Sequence, residues 1–168
     1  MSHSDIRIRV GTPQDIPAIT AIYNDAVANT TAIWNDQQVD DANRLKWMKE
    51  HQALGYDVLV AINSDSEVVG YATLSDWRAF DGYRHTVENS VYVRHDQRGN
   101  GVGKLLMHSL VEQARALDKH VIVAAIEGQN HASITLHEKL GFVNVGQLKE
   151  VGIKFGRWLD LVFLQLTL

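Results

Sequence analysis

The sequence predicts an α/β (α+β) fold: a single domain on one mixed sheet with helices on both faces. Three observations predict it. Short β-branched runs alternate along the chain with stretches of helical period. His120 to Ile126 is apolar throughout, as a strand covered on both faces must be. No repeat, low-complexity tract or composition shift marks a second domain within 168 residues, and the two prolines, Pro13 and Pro17, both sit near one end.

The elements follow in order. Ile6, Ile8 and Val10 alternate with Arg7 and Arg9, the pattern of a half-buried strand. Thr12 caps a helix opened by Pro13, with Ile16, Ile19, Ile22, Tyr23 and Val27 on its apolar face. A loop over Thr30 to Asp36 carries an exposed Trp34. A second helix spans Asp41 to Leu54, buries Leu45, Trp47, Met48 and Leu54, and stops at Gly55. Val58 to Ile62 and Val68 to Ser75 are strands joined by a turn at Asn63 to Ser66. Ser75 to Thr86 is irregular and rich in Trp, Arg, Phe and Tyr, and Thr86 to Val93 is the next strand. A helix from Gly101 to Leu117 buries Leu105, Leu106, Leu110, Val111 and Ala114. After the apolar strand, a helix from Ala132 to Leu140 stops at Gly141. Two strands close the chain, Phe142 to Gln147 and Trp158 to Leu166.

Composition removes several function classes. The net charge is −4 with no basic stripe, which argues against a nucleic-acid partner. No apolar run approaches the ~20 residues of a membrane span. The stretch Met1 to Arg7 lacks the apolar core of a signal peptide. Cysteine is absent, so no disulfide framework exists and a cytoplasmic location is expected. The same absence excludes a cysteinyl-enzyme intermediate. The histidines are scattered without ligand spacing, so no metal is expected.

The richest segment is Val91 to Lys104, where a β-branched run breaks into a turn with glycines at 99, 101 and 103 and a helix follows. Each glycine costs a helix interior ~1 kcal/mol, so propensity does not explain them. They permit a ligand to approach backbone N–H groups at a helix start, where the dipole favours an anion. Neither a dinucleotide fingerprint nor a P-loop fits: the glycines are spaced two apart beyond mid-chain, and Lys104 precedes Leu105 rather than a hydroxyl.

On these residues the chain resembles the GCN5-related N-acetyltransferase (GNAT) superfamily, whose signature is Gln/Arg-x-x-Gly-x-Gly/Ala between a strand and a helix. Arg98, Gly101 and Gly103 match it, and Asn130 to Ser133 leading to Leu136 to Phe142 resembles the second coenzyme A segment. Thr86 to Val93, His137 and Phe155 to Asp160 resemble the phosphinothricin and methionine sulfoximine/sulfone N-acetyltransferase branch, from Ile6 to Leu168. Trp77-Arg78-x-Phe80 is closer to the methionine sulfoximine type. The resemblance implies a mostly antiparallel central sheet, acetyl-CoA as co-substrate and a homodimer.

It also implies roles. Arg98, Gly99, Asn100, Gly101, Val102, Gly103 and Lys104 would hold the pyrophosphate. Val91, Tyr92 and Val93 would line the pantetheine bed, the two valines pairing with it through the backbone, with Asn130 and Ser133 opposite. A helix cap is the alternative for Asn130. Glu88, on one strand face with Ser90 and Tyr92, would take the amine proton; a solvated or ion-paired glutamate is the alternative. His137 stands where the wider superfamily has tyrosine and would protonate the departing thiolate or bind a water; a packed histidine bonded to backbone is the alternative. Trp34, Trp77, Arg78, Phe80, Arg84 and Thr86 would select the acceptor, Arg78 by clamping a carboxylate. Lys154 to Trp158 would add from a hairpin, and Trp47 and Trp158 are expected in the core. The expected reaction is acetylation of the α-amine of a small amino acid such as methionine sulfoximine, methionine sulfone or phosphinothricin. The rivals are another amine acceptor (polyamine, aminoglycoside or protein N-terminus) and a non-catalytic coenzyme A sensor.

Overall fold

A computed structural model describes residues 5–168; the reading of Met1 to Ser4 lies outside them. The strands are β1 (Arg7–Val10), β2 (Leu59–Ile62), β3 (Val68–Asp76), β4 (Thr86–Val93), β5 (Val121–Glu127), β6 (Val143–Lys154) and β7 (Arg157–Thr167). The helices are α1 (Ile16–Asn29), α2 (Asp41–Ala53), α3 (Val102–Ala116) and α4 (His131–Lys139). One seven-stranded sheet has the order β1-β2-β3-β4-β5-β7-β6. Its neighbours are antiparallel except β4 and β5, which run parallel.

Strand alternation sorts the core into two layers. On one face Val60, Ile62 and Tyr71 meet Ile16, Ile19 and Ile22 of α1 and Met48 of α2. On the other, Leu59, Ala61, Ala72, Leu74, Val87, Ile122, Ala124 and Ile126 meet α3, with Leu136 of α4 packed alongside. Along α3 the buried residues are Val102, Leu106, Met107, Leu110, Val111 and Ala114; Met107 takes the place expected of Leu105, which is half-buried one step off the stripe. Among the described residues no helix is long and apolar enough to cross a membrane.

Four local expectations change. A 3-10 turn at Pro13–Asp15 precedes α1, held by the Asp15 carboxylate, which accepts from Thr12 N–H at 2.8 Å and from both terminal nitrogens of Arg9. Leu54 caps the end of α2 and is 62% exposed. Trp158 lies on the outward side of β7 and is 65% exposed rather than packed in the core. Strand β6 runs to Lys154, well past Gln147, through an irregularity between Leu148 and Gly152. The Asp160 carboxylate of β7 holds that irregularity, accepting from Glu150 N–H at 2.8 Å and from Lys149 Nζ and Gln147 Nε2 at 3.3 Å each.

Candidate active site

The parallel pair is where the sheet opens. Strands β4 and β5 pair only over Thr86–Glu88 against Val121–Val123. Beyond that, β4 stays with β3 as far as Val93, while β5 stays with β7 as far as Glu127. The two halves separate, and the backbone groups of β4 after Glu88 on this side have no ladder partner in β5. An exposed strand edge of this kind can pair with an extended, amide-bearing ligand. A cavity of about 790 Å³ occupies the gap, walled by the glycine turn, the start of α4, the end of α1 with Thr30 to Ala32, and Phe155 and Arg157 of the β6–β7 hairpin. A smaller space of about 70 Å³ continues inward between Asn89, Ser90, Ala124, Ala125, Ile126 and His137.

At the outer end the turn is built for an anion. Gly99 and Gly101 hold φ of 79° and 80°, in the left-handed region, and Gly101 caps α3. A Cβ on Gly103 would come within 3.2 Å of Leu136 Cδ2, so its bareness also lets α3 and α4 approach. The first turn of α3 holds no acidic residue, which leaves its positive end unneutralised. Arg98 is exposed, with Nε donating to Val93 O at 3.3 Å and Nη2 3.8 Å from Asp25; Lys104 is exposed beside it. Val91, Tyr92, Val93, Arg98, Gly99, Gly101, Val102, Gly103, Lys104, Asn130 and Ser133 all line the large cavity, whereas Asn100 does not.

Helix α4 closes the opposite wall. Asn130 is a helix cap, its Oδ1 accepting from Ser133 N–H at 3.2 Å, and it borders both cavities as well. His137 is 1% exposed. Its Nδ1–H donates to Ser133 O at 2.7 Å, and its Nε2 accepts from Asn89 Nδ2 at 3.0 Å. Burial holds its pKa below the usual histidine value, opposed by the Ser133 carbonyl. The ring thus has its Nδ1–H committed to backbone, the arrangement expected of a packed histidine, which was the alternative for this residue. Asn89 also approaches Met107 Sδ at 3.6 Å, and its Oδ1 is buried without a partner among the described residues. That orphaned acceptor, bordering the inner cavity, suits an amide N–H, so the gap fits a long amide-bearing chain with an anionic end.

The α1 face of β4 carries Glu88, Ser90 and Tyr92. Glu88 is half-buried, has no ion-pair partner among the described residues, and burial raises its carboxyl pKa above the ordinary value. It lines neither cavity; Ser90, the next residue on its face, borders the inner one. Tyr92 stacks near Tyr71 at 5.3 Å, and burial pushes its hydroxyl up to about 12. Trp77 extends the same face of β3 and meets the Phe163 ring of β7 edge-on at 5.9 Å. The sheet order puts β4 and β5 between those two rings, so they reach toward each other over the face that bears Glu88.

The other expected acceptor residues are placed unequally. The Arg78 guanidinium is exposed, 5.1 Å from the Trp77 ring, with no carboxylate partner among the described residues. Thr86 is half-buried beside Trp77, whose N–H donates to Thr86 O at 3.4 Å. Arg84 turns back to Asp81 O at 3.1 Å. Phe80 is 77% exposed, so within one chain it forms no wall. Trp34 is half-buried rather than exposed: its Nε1 donates to Thr31 O at 2.8 Å and its ring lies against Gly152. Lys154 turns inward, burying its ammonium on main-chain carbonyls of its own chain.

Sequence reasoning missed Glu127, a buried carboxylate that ends β5, accepts from Gln129 N–H at 2.9 Å and borders both cavities. The available signal was a charged residue directly after an apolar strand. Thr30 to Ala32 gave no signal, because only the fold brings the end of α1 to the gap.

Comparison with known proteins agrees with this architecture. The acetyltransferase (GNAT) family model matches residues 19–142. The L-methionine sulfoximine/L-methionine sulfone acetyltransferase of Pseudomonas aeruginosa is 58% identical over 161 residues, covering 96% of this chain and 94% of that protein. A Sinorhizobium meliloti phosphinothricin acetyltransferase, solved in complex with acetyl-CoA, superposes with a TM-score of 0.95 at 35% identity over 98% of this chain and 89% of that one. A Brucella melitensis structure described as a ribosomal-protein-alanine N-acetyltransferase reaches a TM-score of 0.94 at 51% identity, covering 96% and 99% of the two chains. With a family match over most of its length and relatives this similar along nearly all of it, the chain belongs to the acetyltransferase (GNAT) family and is an acetyltransferase.

Proposed function

We propose that this acetyltransferase moves the acetyl group of acetyl-CoA to the α-amine of a small amino acid of the methionine sulfoximine, methionine sulfone or phosphinothricin type, by direct attack in a ternary complex. The observation that carries the reading is the parted β4–β5 edge, with an anion-favouring turn at its outer end and a half-buried carboxylate without an ion-pair partner on the adjoining face. Acetyl-CoA supplies an activated acetyl thioester. The α3 N-terminus, Arg98 and Lys104 hold its pyrophosphate. The backbone of Val91 and Val93 pairs with the pantetheine arm, and a backbone N–H there polarises the thioester oxygen. Glu88 receives the proton of the attacking amine, directly or through one water, and its raised pKa makes it the stronger base. Arg78, lacking a carboxylate of its own, binds that of the acceptor beside Trp77. As the C–N bond forms, the thioester C–S bond breaks and coenzyme A leaves as a thiolate that takes a proton from solvent, while His137 keeps α4 fixed against β4 rather than delivering that proton.

N-acetylation removes the positive charge and donors of the amine, so it would disarm a toxic amino acid. The names of the relatives at 58% and 35% identity support this acceptor class. A homodimer and a cytoplasmic location belong to the same proposal. The Brucella likeness favours a second reading, a protein N-terminal alanine. A panel of methionine sulfoximine, methionine sulfone, an alanine-terminated peptide and a polyamine, each with acetyl-CoA, decides between them. The free amino acids are expected to give the highest kcat/KM. Rapid turnover of the peptide or polyamine without turnover of the amino acids overturns the first reading.

A further inference from the structure

We infer that Lys154 and Gly152 are positioning residues for acceptor binding, because together they fix the Thr30–Trp34 segment that the donor cavity and the acceptor face share. The inference rests on the reading of Trp34 as part of the acceptor wall.

Lys154 ends β6 and is 2% exposed. Its Nζ donates to Ile33 O at 2.5 Å, 121 residues away in sequence, to Thr30 O at 2.7 Å and to Ala26 O at 3.5 Å. An ammonium has three N–H bonds, and here each faces a carbonyl. No carboxylate lies within ion-pair distance among the described residues. Burying a charge in this way is costly, and an apolar side chain would fill the same place at lower cost if packing were the only need. What the ammonium adds is direction. Ala26 O and Thr30 O lie at the negative end of α1, and Ile33 O lies past the turn. Holding all three at one point sets the path of the chain from helix to loop.

Gly152 completes the arrangement from the same strand. An ideal Cβ on it would fall 2.3 Å from Cε3 and Cζ3 of Trp34, so no side chain fits while the indole stays in place. The indole N–H is held by Thr31 O at 2.8 Å, inside the segment that Lys154 grips. The opposite side of this segment, Thr30 to Ala32, walls the large cavity, and Ala32 also borders the inner one. The seat for the ring exists because β6 is irregular just before Gly152, where Asp160 holds Glu150 N–H. A single hairpin therefore sets a wall that serves both substrates.

Steady-state kinetics with acetyl-CoA and methionine sulfone test the inference in Lys154→Met, Gly152→Ala and Trp34→Ala. Each variant is expected to raise the acceptor KM about tenfold or more while kcat falls by less than about threefold. Gly152→Ala removes no charge, so it decides the matter if Lys154→Met fails to fold. A parental acceptor KM in Gly152→Ala and Lys154→Met, with a raised one in Trp34→Ala, overturns the positioning role and leaves the acceptor wall standing. A parental acceptor KM in Trp34→Ala overturns the wall reading instead, and this inference with it. A fall in kcat with KM unmoved in the Lys154 and Gly152 variants marks general loosening of the fold and also overturns it.

Discussion

At Glu88 the carboxyl loses water without gaining a cation, and at His137 the imidazole loses water while both nitrogens gain partners. The two residues therefore answer differently to substitution. Burial raises the Glu88 pKa, so as pH rises from the ordinary glutamate range through the raised value the fold bears an increasingly desolvated charge. That charge costs stability at neutral pH while making the group a better base. Glu88→Gln is expected to lower kcat by about 10²–10⁴-fold, to lose the acid limb of the pH–rate profile, and to melt at pH 7 no lower than the parent. An unchanged kcat across pH would remove Glu88 from the base role. For His137, burial lowers the pKa, which favours the neutral ring, and that ring stabilises the fold through two hydrogen bonds. His137→Gln is expected to cost about 1–3 kcal/mol of stability, seen in denaturant titration, while the pH–rate profile keeps the shape of the parent's. Loss of one limb in that variant would reinstate His137 as an acid or base. The face that Glu88 shares with Ser90 and Tyr92 was readable from alternation along its strand. The backbone bond of His137 to Ser133, one helical turn away, was among the readings of the sequence, whereas its contact with Asn89 was not, because that partner lies 48 residues away.

Among elements, the turn from Arg98 to Lys104 is the proposed seat of the donor's pyrophosphate, and its geometry is local enough to read from the chain. Gly101 caps α3 at φ 80°, a conformation that costs an L-residue about 1–2 kcal/mol. Gly101→Ala is expected to raise the KM for acetyl-CoA while leaving the acceptor KM within about twofold of the parent. An unchanged acetyl-CoA KM would mean that the turn is structural only. The strands up to Val93 and all four helices follow from period and caps, since those signals come from neighbouring residues. Strand β6 does not. Its outer half is Lys149-Glu150-Val151-Gly152, which lacks a strand-like alternation, and it stays in the sheet because Asp160 of the neighbouring strand satisfies the irregular backbone. Leu54 and Trp158 mislead for a related reason: sequence period does not reveal where an element or a strand pairing stops, and Leu54 lies past the end of α2 while Trp158 lies on the part of β7 beyond its pairing with β5.

For the whole molecule, the two halves of the sheet part along β4 and β5, while one core layer against α3 runs beneath both. In the proposed arrangement that parting seats the donor in the plane of the sheet and the acceptor on its α1 face. The outer hairpin leaves Val143, Val145, Val151 and Ile153 of β6, Phe155 of the turn and Trp158 of β7 exposed, an unusually apolar edge for a chain in isolation. Sedimentation at micromolar concentration is expected to find a dimer in the parent and a monomer in Val151→Glu/Trp158→Glu; a monomeric parent would contradict a homodimer. The arrangement of the two substrates is tested most directly by a crystal structure of the ternary complex with coenzyme A and methionine sulfone. The pantetheine arm is expected along Val91 and Val93, the acceptor carboxylate on Arg78, and the amine within one water of Glu88. An acceptor bound away from Arg78 and Glu88, or coenzyme A lying outside the β4–β5 gap, would contradict that arrangement.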